Sequence, residues 1–208
     1  QAAAQPFDIV IIGGGASGLG AAVDAATRGY RVALFEQSDF AKGTSSRSTK
    51  LVHGGVRYLQ QGNLSLVLEA LRERGRLAVN APHLVHSQAF VIPIYKWWHA
   101  PLYLVGMKLY DLLAGKLGLQ PSRYLNRKAT LEALPNLRSE RLLGGVRYYD
   151  GQFDDTRLAI HLAQTADQHG AVVLNYCRCV GLVKQSERLR GIEIHDLEQR
   201  RHFKVYAK

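Results

Sequence analysis

At 208 residues, with 47% hydrophobic and 21% charged side chains, the chain has the composition of a soluble globular protein and can bury a sizeable core in one domain or two small ones. Its formal net charge of +10, from 27 Lys and Arg against 17 Asp and Glu, favours anionic partners such as phosphorylated substrates, a cofactor diphosphate or acidic lipid headgroups. The basic residues are scattered rather than gathered in one run, which argues against nucleic acid, and no apolar run reaches the roughly 18 residues of a membrane span.

The chain opens at Gln1, without a methionine or a signal peptide, which reads as a fragment. Five of the six residues from Phe7 to Ile12 are apolar, the pattern of a strand buried on both faces. Gly13, Gly15 and Gly18 then give the G-x-G-x-x-G spacing. The first allows a sharp turn out of the strand. The second removes the Cβ that would block a pyrophosphate, and the third lets helix and strand pack closely. Ala22 and Ala26 recur at helical spacing and Gly29 stops the helix, whose N-terminal N–H groups point at the phosphate. Val32 to Phe35 form the next strand, and Glu36 closes it where an acid binds ribose hydroxyls. This context supports an adenine-dinucleotide site. The competing reading is an ordinary βαβ unit whose glycines serve packing alone.

Residues 37–63 are dense in Gly, Ser, Thr and basic residues, a composition suited to a loop laid against a polar ligand rather than a merely solvated one. A helix is expected over 64–79, with Leu64, Val67, Leu68 and Leu71 on its buried face. From Phe90 to Gly118, aromatic residues including Trp97, Trp98, Tyr103 and Tyr110 alternate with Lys96, Lys108 and Lys116. That mixture suits either a helix lying in a membrane interface or a packed helical excursion. A short helix around 127–134 stops at Pro135, Leu142 to Tyr149 reads as a strand, and Asp150-Gly151 as a turn. Asp154 or Asp155 caps a helix from Thr156 to His169, with Leu158, Leu162 and Ala166 at helical spacing and Gly170 as its stop. Ala171–Tyr176 can add a parallel strand, and three short runs near 180–184, 189–195 and 202–206 suggest an antiparallel meander. Cys177 and Cys179, two apart on one strand, share a face and show no metal or redox spacing, so they read as structural residues in a reducing compartment. No metal site is expected.

Two blocks together carry a family resemblance: IGGGASGLGAAVDAATRG, and the more specific GTSSRSTKLVHGGVRYLQ. With APHLV, LYDLLAGKLG and YYDGQFDDTRLAIHLAQTADQHGA, the chain resembles the FAD-dependent glycerol-3-phosphate dehydrogenases of respiratory systems over most of its length. Leu19 departs from the pattern, where a smaller residue is expected. The resemblance implies an α/β fold: a Rossmann-like FAD-binding domain of the glutathione-reductase-like flavoprotein class, with a helical insertion and a three-stranded antiparallel meander, incomplete at its C-terminal side. In that reading residues 1–63 are the βαβ unit and flavin loop, 64–150 a mainly helical insertion, and 151–208 a helix, a strand and the meander.

It also implies oxidation of sn-glycerol 3-phosphate to dihydroxyacetone phosphate, with a hydride passing to FAD and electrons then to a membrane quinone. The protein would be cytoplasmic and peripheral on the inner face of the cell membrane, and a homo-oligomer is compatible with this. By resemblance Gly13, Gly15, Ser17, Gly18, Glu36 and Gln37 hold the adenosine and diphosphate part. Thr44, Ser45, Ser46 and Ser48 line the diphosphate and ribityl region, while Lys50, Leu51, His53, Gly54 and Gly55 pass along the flavin ring. Arg57 and Tyr58 reach the substrate, where a guanidinium suits a phosphate dianion. The catalytic base is expected beyond Lys208, leaving the isolated fragment inactive. Two alternatives remain at this point: an oxidase passing electrons to oxygen, and a non-catalytic FAD-binding module.

Overall fold

The computed structural model describes residues 5–55, 58 and 61–208. They form two compact units, one running to Thr49 and resuming at Asp155–Lys208, the other Lys50–Asp154.

In the first unit β1 (Ile9–Ile12), β2 (Val32–Phe35) and β7 (Val172–Leu174) form a parallel sheet in the order β1-β2-β7. Period-2 alternation decides what each face of β2 covers. Val32 and Leu34 pack on α1 (Ala16–Thr27) and α5 (Asp155–Gln168), while Ala33 and Phe35 pack on Ile192, Ile194 and Val205. Those last residues belong to the meander β8 (Cys177–Gln185), β9 (Arg188–Asp196) and β10 (Arg201–Tyr206), antiparallel as the sequence suggests. Cys177 and Cys179 face this same core as free thiols. Burial pushes the Cys177 thiol up, so it stays protonated beyond the range of an exposed cysteine.

Two expectations shift here. All of β2 is buried, but β1 lies at the edge of the described sheet and leaves Ile9 and Ile12 exposed. On α5 the buried apolar residues are Ala159, Ala163 and Ala166, with Leu158 and Leu162 half-buried. These alanines meet Leu19, Ala22, Ala25 and Ala26 of α1, so the two helices approach along a seam of small side chains. Leu19, the departure from the family pattern, is fully buried within it. Both helices stop alike. Gly29 donates to Ala26 O and Tyr30 to Ala25 O, while Gly170 donates to Asp167 O and Ala171 to Ala166 O, the paired bonds of a glycine C-cap.

The second unit is built on β6 (Gly144–Phe153), which pairs along ten residues with β4 (Val85–Ile94). On its other edge it pairs with β3 (Leu51–Val52) and β5 (Arg123–Asn126). The segment read as mainly helical therefore carries this sheet as well as α2 (Leu64–Asn80), α3 (His99–Ala114) and α4 (Arg127–Ala133). Val67 and Leu71 from α2 and Met107, Tyr110 and Ala114 from α3 pack on Ile94 and Val146 of the sheet.

Asp150-Gly151 is not a turn. β6 runs straight through it, pairing Asp150 with Gln88 and Gly151 with Ser87 and Val52. The Asp150 carboxylate points inward to a buried ion pair with Arg74, which outweighs the local turn preference of Asp-Gly. Arg74 also explains the buried face of α2. That face runs Val67, Leu71, Arg74 and leaves Leu64 exposed, contrary to expectation.

Ala159→Leu is expected to overpack the α1–α5 seam and cost about 1–3 kcal/mol, read as a lower midpoint in chemical denaturation. An unchanged midpoint would show that the seam is not close-packed.

Candidate functional site

The loop between β1 and α1 is shaped by a single close approach. A Cβ on Gly18 would stand on the Gly13 carbonyl oxygen, far inside van der Waals contact, and would also touch Ile11 at 3.4 Å. Gly13 itself turns at φ +111°, a left-handed geometry that favours glycine, with its N–H donating to Phe35 O at 2.8 Å. Both glycines are demanded by the fold.

Gly15 is different. It is the N-cap of α1 in extended geometry, φ −89° and ψ −179°, and a Cβ there would meet nothing within 4 Å. Any L-residue fits that backbone. Gly15 has no side chain to cap the helix and no acid sits in its first turn, so its N-terminal N–H groups and positive dipole end can meet an anion. They face a cavity of about 840 Å³ lined by Gly13–Gly18, Glu36, Gln37, Thr44 and Ser45, a size suited to a cofactor. Of these, the sequence pointed to Gly13, Gly15, Ser17, Gly18, Glu36, Gln37, Thr44 and Ser45. It missed Gly14, Ser38, Lys42 and Arg47, which line the same cavity and add two cations. Their signal was the +10 charge, which sequence alone did not localise.

Glu36 ties this loop to the chain leaving β2. Its Oε2 accepts the Gly14 N–H at 2.7 Å and its Oε1 the Ser38 N–H at 2.8 Å. Each carboxylate oxygen retains a further lone pair, so the group can brace the turn and still accept a hydroxyl. Thr44–Ser46 form one 3₁₀ turn. Ser46 and Ser48 are absent from the cavity lining. Ser46 Oγ donates to the carbonyls of Lys42 and Gly43, and Ser48 Oγ to the Asp155 carboxylate.

Lys50, Leu51, His53, Gly54 and Gly55 belong to the other unit and are described by themselves. Leu51 pairs with Gln152 on β6. The Gly55 N–H donates to His53 Nδ1 at 3.1 Å, so that ring nitrogen serves the local backbone. The Gly54 N–H donates to Tyr110 Oη at 2.9 Å. The exposed Tyr58 packs its ring over Gly55, and Arg57 lies outside the described residues. Among the described residues no group of three or more His, Cys, Asp or Glu side chains is placed to hold a metal ion.

Comparison with known proteins fits this geometry. Residues 8–206 match the family described as FAD dependent oxidoreductase. The chain is 46% identical to the mitochondrial glycerol-3-phosphate dehydrogenase of Rattus norvegicus over 97% of this chain and 30% of that protein. Identity to the Saccharomyces cerevisiae mitochondrial glycerol-3-phosphate dehydrogenase is also 46%, over 97% of this chain and 32% of that protein. The chain thus spans about a third of the length of these relatives. Among solved structures, a glycerol-3-phosphate dehydrogenase from Bacillus halodurans complexed with FAD matches with a TM-score of 0.73 and 33% identity, over 98% of this chain and 33% of that one. L-proline dehydrogenase from P. horikoshii, 18% identical with a TM-score of 0.69 over 97% of this chain and 51% of that one, shares the fold.

The two glycines should respond oppositely to one added methyl group. Gly18→Ala is expected to lower stability by about 2 kcal/mol or more, and Gly15→Ala to change it by less than about 1 kcal/mol, in denaturation of the cofactor-free protein. Equal losses would mean that packing governs both positions.

Proposed function

The chain belongs to the FAD dependent oxidoreductase family, and we propose that it supplies the FAD-binding part of an enzyme that oxidises sn-glycerol 3-phosphate to dihydroxyacetone phosphate. Gly15 carries the cofactor reading. Its backbone accepts a side chain and its surroundings have room for one, yet the sequence keeps it bare where it faces the cavity at the helix N-terminus. A diphosphate seated against that backbone accounts for the missing Cβ, which the packing-only alternative does not.

In this reading the N–H groups at the start of α1 bind the diphosphate, with Ser17, Thr44 and Ser45 lining it and Lys42 and Arg47 offsetting its charge. Glu36 accepts the adenosine ribose hydroxyls beside Gln37. Ser46 and Ser48 shape the loop through the carbonyl and carboxylate bonds they already make. The resemblance of residues 43–59 supports placing Lys50, Leu51, His53, Gly54 and Gly55 along the flavin ring, and Arg57 and Tyr58 at the substrate phosphate. Bound FAD supplies the hydride acceptor that oxidation at a carbon needs. The substrate assignment rests on the named relatives, and no base in this chain is assigned the substrate hydroxyl proton.

A membrane quinone is the proposed electron acceptor, and one surface favours it over oxygen. Leu102, Val105, Leu109 and Leu112 are exposed along one face of α3, following Trp97 and Trp98, with the Lys96 ammonium 5.3 Å from the Trp98 ring centroid. An apolar stripe with aromatic and lysine anchors suits a helix lying at a bilayer surface. No helix among the described residues is long and apolar enough to cross a membrane. We place the protein peripherally on the inner, cytoplasmic face of the cell membrane.

Purified full-length protein should be yellow and bleach when glycerol 3-phosphate is added without oxygen; a colourless protein, or a flavin indifferent to this substrate, contradicts the proposal. Glu36→Ala should lower flavin content in the purified protein, and wild-type occupancy would remove the ribose role. Val105→Glu with Leu112→Glu should abolish flotation with anionic liposomes, whereas wild-type protein that never floats would remove the membrane role.

A further inference from the structure

Within the Lys50–Asp154 unit, three polar side chains meet where apolar ones surround them. Arg74, Tyr110 and Asp150 are only 1%, 2% and 3% exposed. Arg74 Nη1 donates to Asp150 Oδ1 at 2.9 Å, and the Gly151 N–H donates to the same oxygen at 3.0 Å. Tyr110 Oη donates to Asp150 Oδ2 at 2.8 Å. The tyrosine proton is therefore directed at the carboxylate, which leaves the phenol oxygen to accept the Gly54 N–H at 2.9 Å. Burial, reinforced by the neighbouring carboxylate, pushes the Tyr110 hydroxyl up and keeps that proton in place.

Stability is a poor explanation for this arrangement. A buried ion pair is commonly no better than apolar residues of the same volume, and this one leaves Arg74 Nε buried with no hydrogen-bond partner among the described residues. What the chain Arg74–Asp150–Tyr110 does achieve is an exact seat for one peptide group. β3 ends at Val52, so Gly54 lies beyond the strand pairing, and its N–H is met by the phenol oxygen. The approach requires a bare backbone, because a Cβ on Gly54 would overlap both Tyr110 Oη and Leu71 Cδ2.

We propose that Tyr110, oriented by Asp150 and Arg74, is a positioning residue that fixes where the Gly54-Gly55 backbone sits against the flavin. The proposal rests on the reading of residues 50–55 as flavin-contacting.

Tyr110→Phe tests it in the full-length, FAD-loaded protein, since Phe keeps the ring and removes only the hydroxyl. The dissociation constant for FAD should rise about tenfold, as one buried hydrogen bond implies. The visible circular dichroism and midpoint potential of the bound flavin should shift, and kcat should fall more than KM changes. A variant with wild-type affinity, dichroism and potential, altered only in melting temperature, would make the network purely structural and overturn the proposal. A second measurement needs no variant: by hydrogen exchange, the wild-type Gly54 amide should be protected, and exchange at the rate of an open loop would overturn the proposal directly. Wild-type protein that binds no FAD would remove the functional reading as well, whereas an FAD-binding wild type with an unaltered Tyr110→Phe flavin removes this inference alone.

Discussion

Because no Cβ intervenes, the Gly13 carbonyl and the Gly18 backbone come into direct contact, and that approach sets how α1 leaves the sheet. A helix held this close covers Val32 and Leu34 mainly with small side chains: Ala22, Ala25 and Ala26 meet Ala159, Ala163 and Ala166 across the seam with α5, with Leu19 buried among them. The same approach places the α1 N-terminus beside the end of β1 with its N–H groups uncapped. The packing of the unit and the uncapped start of its first helix thus have one geometric origin.

Glu36 extends this constraint from one loop to the next. By accepting the Gly14 and Ser38 N–H groups, its carboxylate ties the turn after β1 to the chain leaving β2. The cavity wall is therefore stiff where the adenosine end is proposed to lie. The same residue is structural support and candidate ligand, which complicates any reading of Glu36→Ala through stability alone. The contrast between Gly15 and Gly18 avoids that overlap, because only Gly18 is demanded by packing.

Features written in local chemistry were legible in the sequence. The glycine turn, β2 and the stops at Gly29 and Gly170 depend on residues within a few positions of one another, and the structure reproduces them. The parallel β7 and the meander followed from their β-rich runs. Features fixed by distant partners were not legible. Asp150-Gly151 reads as a turn until Arg74, 76 residues earlier in the chain, holds the aspartate inside a strand. The buried face of α2 includes an arginine for the same reason, and β4 went unseen because its partner residues on β6 lie far along the chain, from Ile94 opposite Gly144 to Val85 opposite Phe153. In the site, the motif identified the turn and the acid. Lys42 and Arg47 carried no motif, and Ser46 and Ser48 resembled ligand-lining hydroxyls while serving the protein's own carbonyls and carboxylate.

The central claim is that a dinucleotide diphosphate occupies the N-terminus of α1, with ribose hydroxyls on Glu36. The most direct test is a crystal structure of the FAD-loaded protein. The account predicts diphosphate oxygens within hydrogen-bond distance of backbone N–H groups between Gly15 and Gly18, and a ribose hydroxyl on a Glu36 carboxylate oxygen that still accepts its backbone bond. Diphosphate bound elsewhere, with Glu36 held only by Gly14 and Ser38, would contradict it.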